Sequence, residues 1–302
     1  MIVSPPLPCF LIAALVTVGI ASGETINWYS PSQKTNLTST GQLMDGGFQF
    51  ELGVFKDGFV PTAGNASQWA SYWASPVGAG APYDTITKTF DLSISVDGNV
   101  APYAISTKAY VWGRRAGGVS DEWILFRKSD WTWPNGSAVP PDFHEWNAAT
   151  ANEVIVGTIN ANGIPYLMKS EAVFSYSQWR DSQLAGEPLN GPNNDPDRDG
   201  VSNLLEFVFG SLPTVPGAPS LISATWVAIS GQSYLQISIP RLRNRLANLT
   251  VEVSADLSHW DSGASFTAVV ADSATALIVR DKTPALPGAA KRFMRVKAEL
   301  QP

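Results

Sequence analysis

The stretch "NNDPDRDGVSNLLEFVFGSLP", residues 193–213, divides the chain in two. On either side of it, short runs of β-branched and aromatic residues alternate with Gly, Pro, Asn and Asp, which is the pattern of strands and turns. Within it the strand signals stop, and acidic residues recur at every second position. Its second half, "NLLEFVF", has the length and apolar spacing of a short helix, ended by Gly210 with Pro213 just beyond. Read as a connector, this segment implies two β domains joined by a short helical junction.

Upstream, "FQFELGVF" (48–55), "TKTFDLSISV" (87–96), "AISTKAYVWG" (104–113), "EWILFRK" (122–128) and "EVIVGTI" (153–159) predict about seven or eight strands in all. "NASQWASYWASP" (65–76) predicts a short helix with Asn65 as N-cap and Trp69 and Trp73 on one face. Tyr176–Ala185 predicts another helix ahead of the acidic loop. Downstream, Leu235, Ile237 and Ile239 point one way while Gln236 and Ser238 point the other, and Leu249, Val251 and Val253 alternate with Thr250 and Glu252. With "SFTAVV", "TALIVR" and "RFMRVKA" these make about six strands in under ninety residues. The expected fold class is all-β: a sandwich or jelly-roll-like domain over 24–170, a helix–loop–helix junction over 171–213, and an immunoglobulin- or fibronectin-like sandwich over 214–302.

From Asp195 the connector reads D-x-D-x-D-G, five residues, then Glu206, a spacing that suits calcium. Ca²⁺ takes about six to eight oxygens, so a loop must curl round it and offer a ligand at nearly every second residue. Asp195, Asp197 and Asp199 would supply carboxylates, Val201 its carbonyl, Asn203 a direct or water-mediated contact, and Glu206 two oxygens. Gly200 allows the sharp turn between them. Four carboxylates in twelve residues repel one another, with Arg198 the local offset, and a dication removes that repulsion. Mg²⁺, with its small octahedral shell and tightly held waters, suits this set less well. The alternative is a solvated acidic turn, in which Ser202 or Asn203 caps the helix and Glu206 completes a capping box. Such a turn needs neither the alternate spacing nor the glycine.

The same residues resemble the calcium loops of thrombospondin type 3 and dockerin-like repeats, in particular the DxDGDGVSNLLEY form found in large secreted bacterial modular proteins. There the loop precedes a small C-terminal β-sandwich, to which "LTVEVSADLSHW" and "RFMRVKA" are also similar. The resemblance spans about residues 175–302 and implies Asp195, Asp197, Asp199, Val201 and Glu206 as calcium ligands, the ion being structural. Arg198 stands where that pattern has Gly. One loop is present instead of a pair, so dockerin-type pairing with a cohesin is not implied. "FELGVFKDGFVPTAGNASQW" resembles a segment of secreted proteins of this modular type and implies no activity.

Composition agrees with an exported protein. An apolar run from Phe10 to Ile20 leads into Ala21, Ser22 and Gly23 and reads as a signal peptide over 1–23, cut after Gly23. The alternative, an uncut anchor, has too short an apolar run for a comfortable span. Cleavage removes Cys9, the only cysteine, so stability must come from core burial, oligomerisation or bound metal. About 280 residues remain, with no later run long enough to cross a bilayer, and release to the exterior or the cell surface is expected. Net charge is −6, and residues 214–302 carry nine basic against six acidic side chains; nucleic-acid partners, which need clustered cations, are disfavoured. Sequons occur at Asn36, Asn65, Asn135 and Asn248.

Catalytic signatures are sparse. His144 and His259 are the only histidines, and G-x-S-x-G, H-E-x-x-H and a phosphate-binding glycine loop are all missing from the sequence. A glycosidase needs only two carboxylates across a cleft, for which Asp121, Glu122, Asp142 and Glu145 lie near tryptophans. Trp112, Trp123, Trp131, Trp133 and Trp146 allow two readings: indoles filling a core, or, for Trp131 and Trp133 in "DWTWPNG", an exposed pair on which sugar rings stack. Three functions follow: a non-catalytic structural or adhesion protein with a calcium-stabilised junction, a carbohydrate-binding protein with a glycan or cell-surface partner, and a glycoside hydrolase.

Overall fold

A computed structural model of the chain describes residues 23–117, 119–217, 222–273, 275–285 and 291–300. The expected signal peptide, apart from Gly23, lies outside the described residues. No helix among those described is long and apolar enough to cross a membrane.

The fold is all-β. The N-terminal part contains β1 (Glu24–Tyr29), β2 (Asn36–Leu37), β3 (Gln49–Phe55), β4 (Trp73–Ala74), β5 (Gly80–Pro82), β6 (Asp91–Val96), β7 (Ala109–Arg115), β8 (Asp121–Arg127), β9 (Phe143–Asn147), β10 (Glu153–Val156), β11 (Thr158–Ile159), β12 (Met168–Lys169) and β13 (Glu171–Val173). Its large sheet runs β10–β8–β7–β3–β4, with β13 pairing β8 and β5 pairing β3; a smaller sheet runs β6–β1–β9. β13 lies past residue 170, so the N-terminal sheet extends beyond the boundary expected from sequence.

Alternation along β8 explains why this sheet is buried on both faces. Ile124 and Phe126 point to one side, where they meet Phe50, Val111 and the small sheet's Ile26 and Trp28. Trp123 and Leu125 point to the other, where they meet Trp112 and Trp69. The second face is covered by a 3₁₀ turn (Ala63–Gln68) running into α1 (Trp69–Tyr72). Thr62, not Asn65, caps that turn; Asn65 sits at the third position, where its Oδ1 accepts from Thr62 N at 2.8 Å and from Trp69 Nε1 at 2.9 Å. Trp73 has left the helix for β4, yet it packs edge-on to Trp112 as Trp69 does. Gly53 makes room for it: a Cβ there would come within 2.6 Å of the Trp73 ring.

α2 (Tyr176–Gln183) and α3 (Asn203–Phe209) form the connector, and Tyr176, Trp179 and Phe207 close a three-ring cluster between them. The C-terminal part has β14 (Ser223–Ile229), β15 (Gln232–Pro240), β16 (Ala247–Ser254), β17 (Asp261–Ser262), β18 (Thr267–Asp272), β19 (Ala276–Asp281) and β20 (Phe293–Leu300). They make two antiparallel sheets, β14–β15–β19–β18 and β17–β16–β20, with Ile237, Ile239, Val251 and Val279 between them. Phe209 of α3 packs against this core as well as the connector's own.

The two parts also touch directly. Ser67 Oγ and Gln68 Nε2 both donate to Asn248 Oδ1 on β16, and Leu246 packs against the tryptophan-rich face of the large sheet. Phe174 N donates to Asn244 O at 2.8 Å, and Leu246 N to Phe174 O at 2.9 Å. The buried Arg241 pairs with Asp272 against the backbone of Gly64, where a Cβ would meet the guanidinium at 2.5 Å.

Candidate metal centre

Helix α3 and the turn before it position the acidic residues. Arg198 and Gly200 both take left-handed backbone, at φ 61° and 91°, and so fold the loop back on itself. The turn is held by its own carboxylates: Asp195 accepts from Arg198 N at 2.7 Å and Gly200 N at 2.9 Å, and Asp199 from Val201 N at 2.8 Å. Carboxylate oxygens of Asp195, Asp197 and Asp199 all lie within 4.8 Å of one another, close enough to share one ion. Ser202, in extended backbone, is the N-cap of α3, but its hydroxyl makes no capping bond, and no capping box with Glu206 forms.

One oxygen of this trio, Asp197 Oδ2, and two oxygens on α3, Asn203 Oδ1 and Glu206 Oε2, are buried and unpartnered. Each is an acceptor, and leaving one unpaired inside a protein costs about 1–3 kcal/mol, more when charged. Asn203 is fully buried with its amide nitrogen committed to Leu189 O at 2.8 Å and Gly191 O at 2.9 Å, which leaves its oxygen free. Glu206 is also fully buried; Ser211 Oγ donates to Oε1 at 3.2 Å and nothing reaches Oε2. Burial first, then repulsion from the three aspartates, pushes its carboxyl up to about 7. Asp197 is raised for the same first reason. A hard, oxygen-seeking dication would reverse each of these penalties. Glu206 stands outside the three-carboxylate cluster proper. Val201 holds the seventh position, its N–H turned to Asp199.

Trp131 and Trp133 correct one expectation. Both are 3% exposed, packed in the core with residues of the large sheet and of the β6–β1–β9 sheet. Trp131 stacks on Trp146 with ring centres 5.5 Å apart, and the Trp133 N–H is buried without a partner. They share a face, as their spacing predicts, but that face is the inner one, so no sugar can stack on them. Burying so much apolar area outweighs presenting it.

Other residues nominated from sequence have structural occupations. Glu122 is buried and accepts from Ser39 N, Ser39 Oγ and Ser170 Oγ. Asp121 accepts from Gly117 N and Gln178 Nε2, and Glu145 from Asn27. Glu24, Asp142 and His144 bring one ligand atom each within 4.8 Å of one another. There Oε2 of the buried Glu24 already accepts from Asp142 N at 3.0 Å and lies 3.1 Å from His144 Nε2. His259 is 89% exposed in a turn, where its hydrogen bond to Asp256 raises its pKa. Of the sequon residues, Asn36 is wholly buried and Asn248 is used between the two parts, whereas Asn135 is exposed.

The unpartnered oxygens of Asn203 and Glu206 are what sequence could not reveal, although both residues lie at positions the spacing had marked. Compared with protein-family models, with curated proteins and with solved structures, the chain finds no match.

Proposed function

We propose that this is an exported, non-catalytic protein of the structural or adhesion type, in which a calcium ion bound by residues 195–206 stiffens the connection between two β domains. Asp195, Asp197 and Asp199 supply the charge, Glu206 and Asn203 bring buried oxygens from α3, and the Val201 carbonyl completes the set. The observation that carries the reading is that three converging carboxylates, one with a buried unpartnered oxygen, are followed by two further buried unpartnered oxygens on α3, those of Asn203 and Glu206. A solvated acidic turn would have no reason to bury Glu206 completely.

Stiffening follows from where the ligands are anchored. Glu206 shares α3 with Phe207, Val208 and Phe209, which pack in the connector and the C-terminal core. Asp199 reaches the chain entering the C-terminal domain, accepting from Gly217 N at 2.8 Å. A cation pulling on both would hold the helix and the linker in one arrangement. The direct contacts of Asn248, Leu246 and Arg241 would keep the parts together without it, so calcium tightens the joint instead of creating it.

Thermal unfolding of the full chain in EGTA, in Ca²⁺ and in Mg²⁺ tests this reading. At about one hundred times its dissociation constant, a site present only in the folded state adds about 2.7 kcal/mol. A melting temperature raised by Ca²⁺ and much less by Mg²⁺ is expected; one indifferent to chelation would refute it.

A further inference from the structure

Away from the acidic loop, the end of β3 and the start of β7 form the floor of a cavity of about 670 Å³. That lies within the roughly 300–1,000 Å³ typical of small-ligand sites. Phe55 and Tyr110 meet edge to face at 5.4 Å, and Phe59 extends the aromatic wall, 5.5 Å from Phe55 and stacked at 4.4 Å on Tyr72. Lys56 and Lys108 stand on the lining, with Thr107 beside them and Asp57 as the one acidic side chain. Among the described residues, the lysines in ion pairs are Lys128 and Lys297, so neither cavity lysine is neutralised.

Tyr110 is the telling residue. It is 6% exposed and lines the cavity, yet no described residue hydrogen-bonds its hydroxyl. Unlike the buried, unpartnered indole N–H groups of Trp112 and Trp133, this hydroxyl reaches the cavity surface, and a free hydroxyl beside an aromatic wall suits a ligand with both an apolar face and polar edges.

We propose that this cavity binds an acidic sugar residue, a uronate of an anionic polysaccharide. A pyranose ring offers an apolar face to the half-buried Phe59 and hydroxyls to the Tyr110 and Thr107 side chains. The uronate carboxylate meets Lys56 and Lys108, whose combined charge exceeds that of Asp57. A bare anion would leave the aromatic wall unused, and a neutral sugar would leave two ammonium groups unmatched. The site is separate from the acidic loop, and its occupation does not depend on calcium. The "DWTWPNG" segment borders this cavity: Trp133 N donates to Thr107 O at 2.8 Å and Lys108 bridges to Thr132, so the segment braces the cavity wall while its indoles face inward.

Calorimetric titration of the full chain with trimers of galacturonate, mannuronate and guluronate, and with neutral galactotriose, tests the proposal. At least one uronate trimer is expected to bind, about tenfold or more tighter than the neutral sugar, and less tightly as salt rises. The pair Lys56→Gln and Lys108→Gln, on surface side chains, should weaken binding by about tenfold, and Tyr110→Phe by severalfold, while Lys297→Gln changes nothing. Absence of binding by every uronate at millimolar concentration overturns the proposal. So does equal affinity for galactotriose, tighter binding of uridine monophosphate, or indifference to the double lysine variant.

Discussion

The carboxylate of Asp199 accepts a hydrogen bond from the backbone N–H of Gly217 at 2.8 Å, tying the acidic loop to the chain that enters the C-terminal domain. The same side chain converges with Asp195 and Asp197. Its other oxygen accepts from Val201 N, so Asp199→Asn removes the charge and keeps an acceptor for only one of the two backbone N–H groups. Calcium affinity should fall by about tenfold or more, and the gain in melting temperature on adding Ca²⁺ should shrink with it. In EGTA, losing that one hydrogen bond should cost about 0.5–1.5 kcal/mol. Calcium titration and thermal unfolding, each done with and without chelator, check this.

Glu206 gives the protein a pH dependence that calcium should abolish. Its carboxyl is raised from 4.5 to about 7 in the folded chain. Without a cation, the unfolded chain releases this proton near 4.5 while the folded one holds it to about 7. The contribution of this group to stability is therefore greatest below 4.5 and is lost as pH rises to about 7, the full cost being on the order of 3 kcal/mol. Urea unfolding in EGTA at about pH 5 and about pH 8 should show this loss, and Glu206→Gln should remove most of it. With Ca²⁺, which binds the ionised form, the wild-type loss should disappear.

Arg198 occupies left-handed backbone at φ 61°, which costs a residue with a Cβ about 1 kcal/mol. The resembling loops have Gly at this position. Arg198→Gly should leave stability unchanged or raise it by up to about 1 kcal/mol, and should tighten calcium binding by removing a nearby positive charge. A marked loss of stability would mean that the arginine side chain makes a contact more valuable than the strain it imposes.

Trp131 should behave as core. Trp131→Ala is expected to cost about 3–5 kcal/mol, since it removes a fully packed indole stacked on Trp146. Chemical denaturation measures this, and binding of uronate trimers by the folded fraction should be retained.

Asn248 tests the direct contact between the parts. Its Oδ1 accepts from both Ser67 and Gln68, so Asn248→Ala leaves two donors without their partner and should cost about 1–3 kcal/mol. Because this contact is independent of the acidic loop, the loss should be the same in EGTA and in Ca²⁺. A cost seen only in chelator would show that calcium already carries the interface.

The residues of the acidic loop were legible because their chemistry is local: alternate carboxylates, the glycine and the helix that follows are set by neighbours a few positions away. Strand alternation was equally local, and it gave an all-β chain. The identity of the face to which an alternating residue points is not local. Trp131 and Trp133 lie on one side of their segment by sequence, but only the packing of the small sheet against the large one makes that side the interior. Tertiary structure alone also decided that Asn248, Leu246 and Arg241 of the second part meet the 3₁₀ turn and the tryptophan face of the first, more than a hundred residues earlier. The orphaned oxygens of Asn203 and Glu206 and the idle hydroxyl of Tyr110 belong to the same class. Whether a polar atom has a partner depends on everything folded around it, and that sum is written nowhere in the order of the residues.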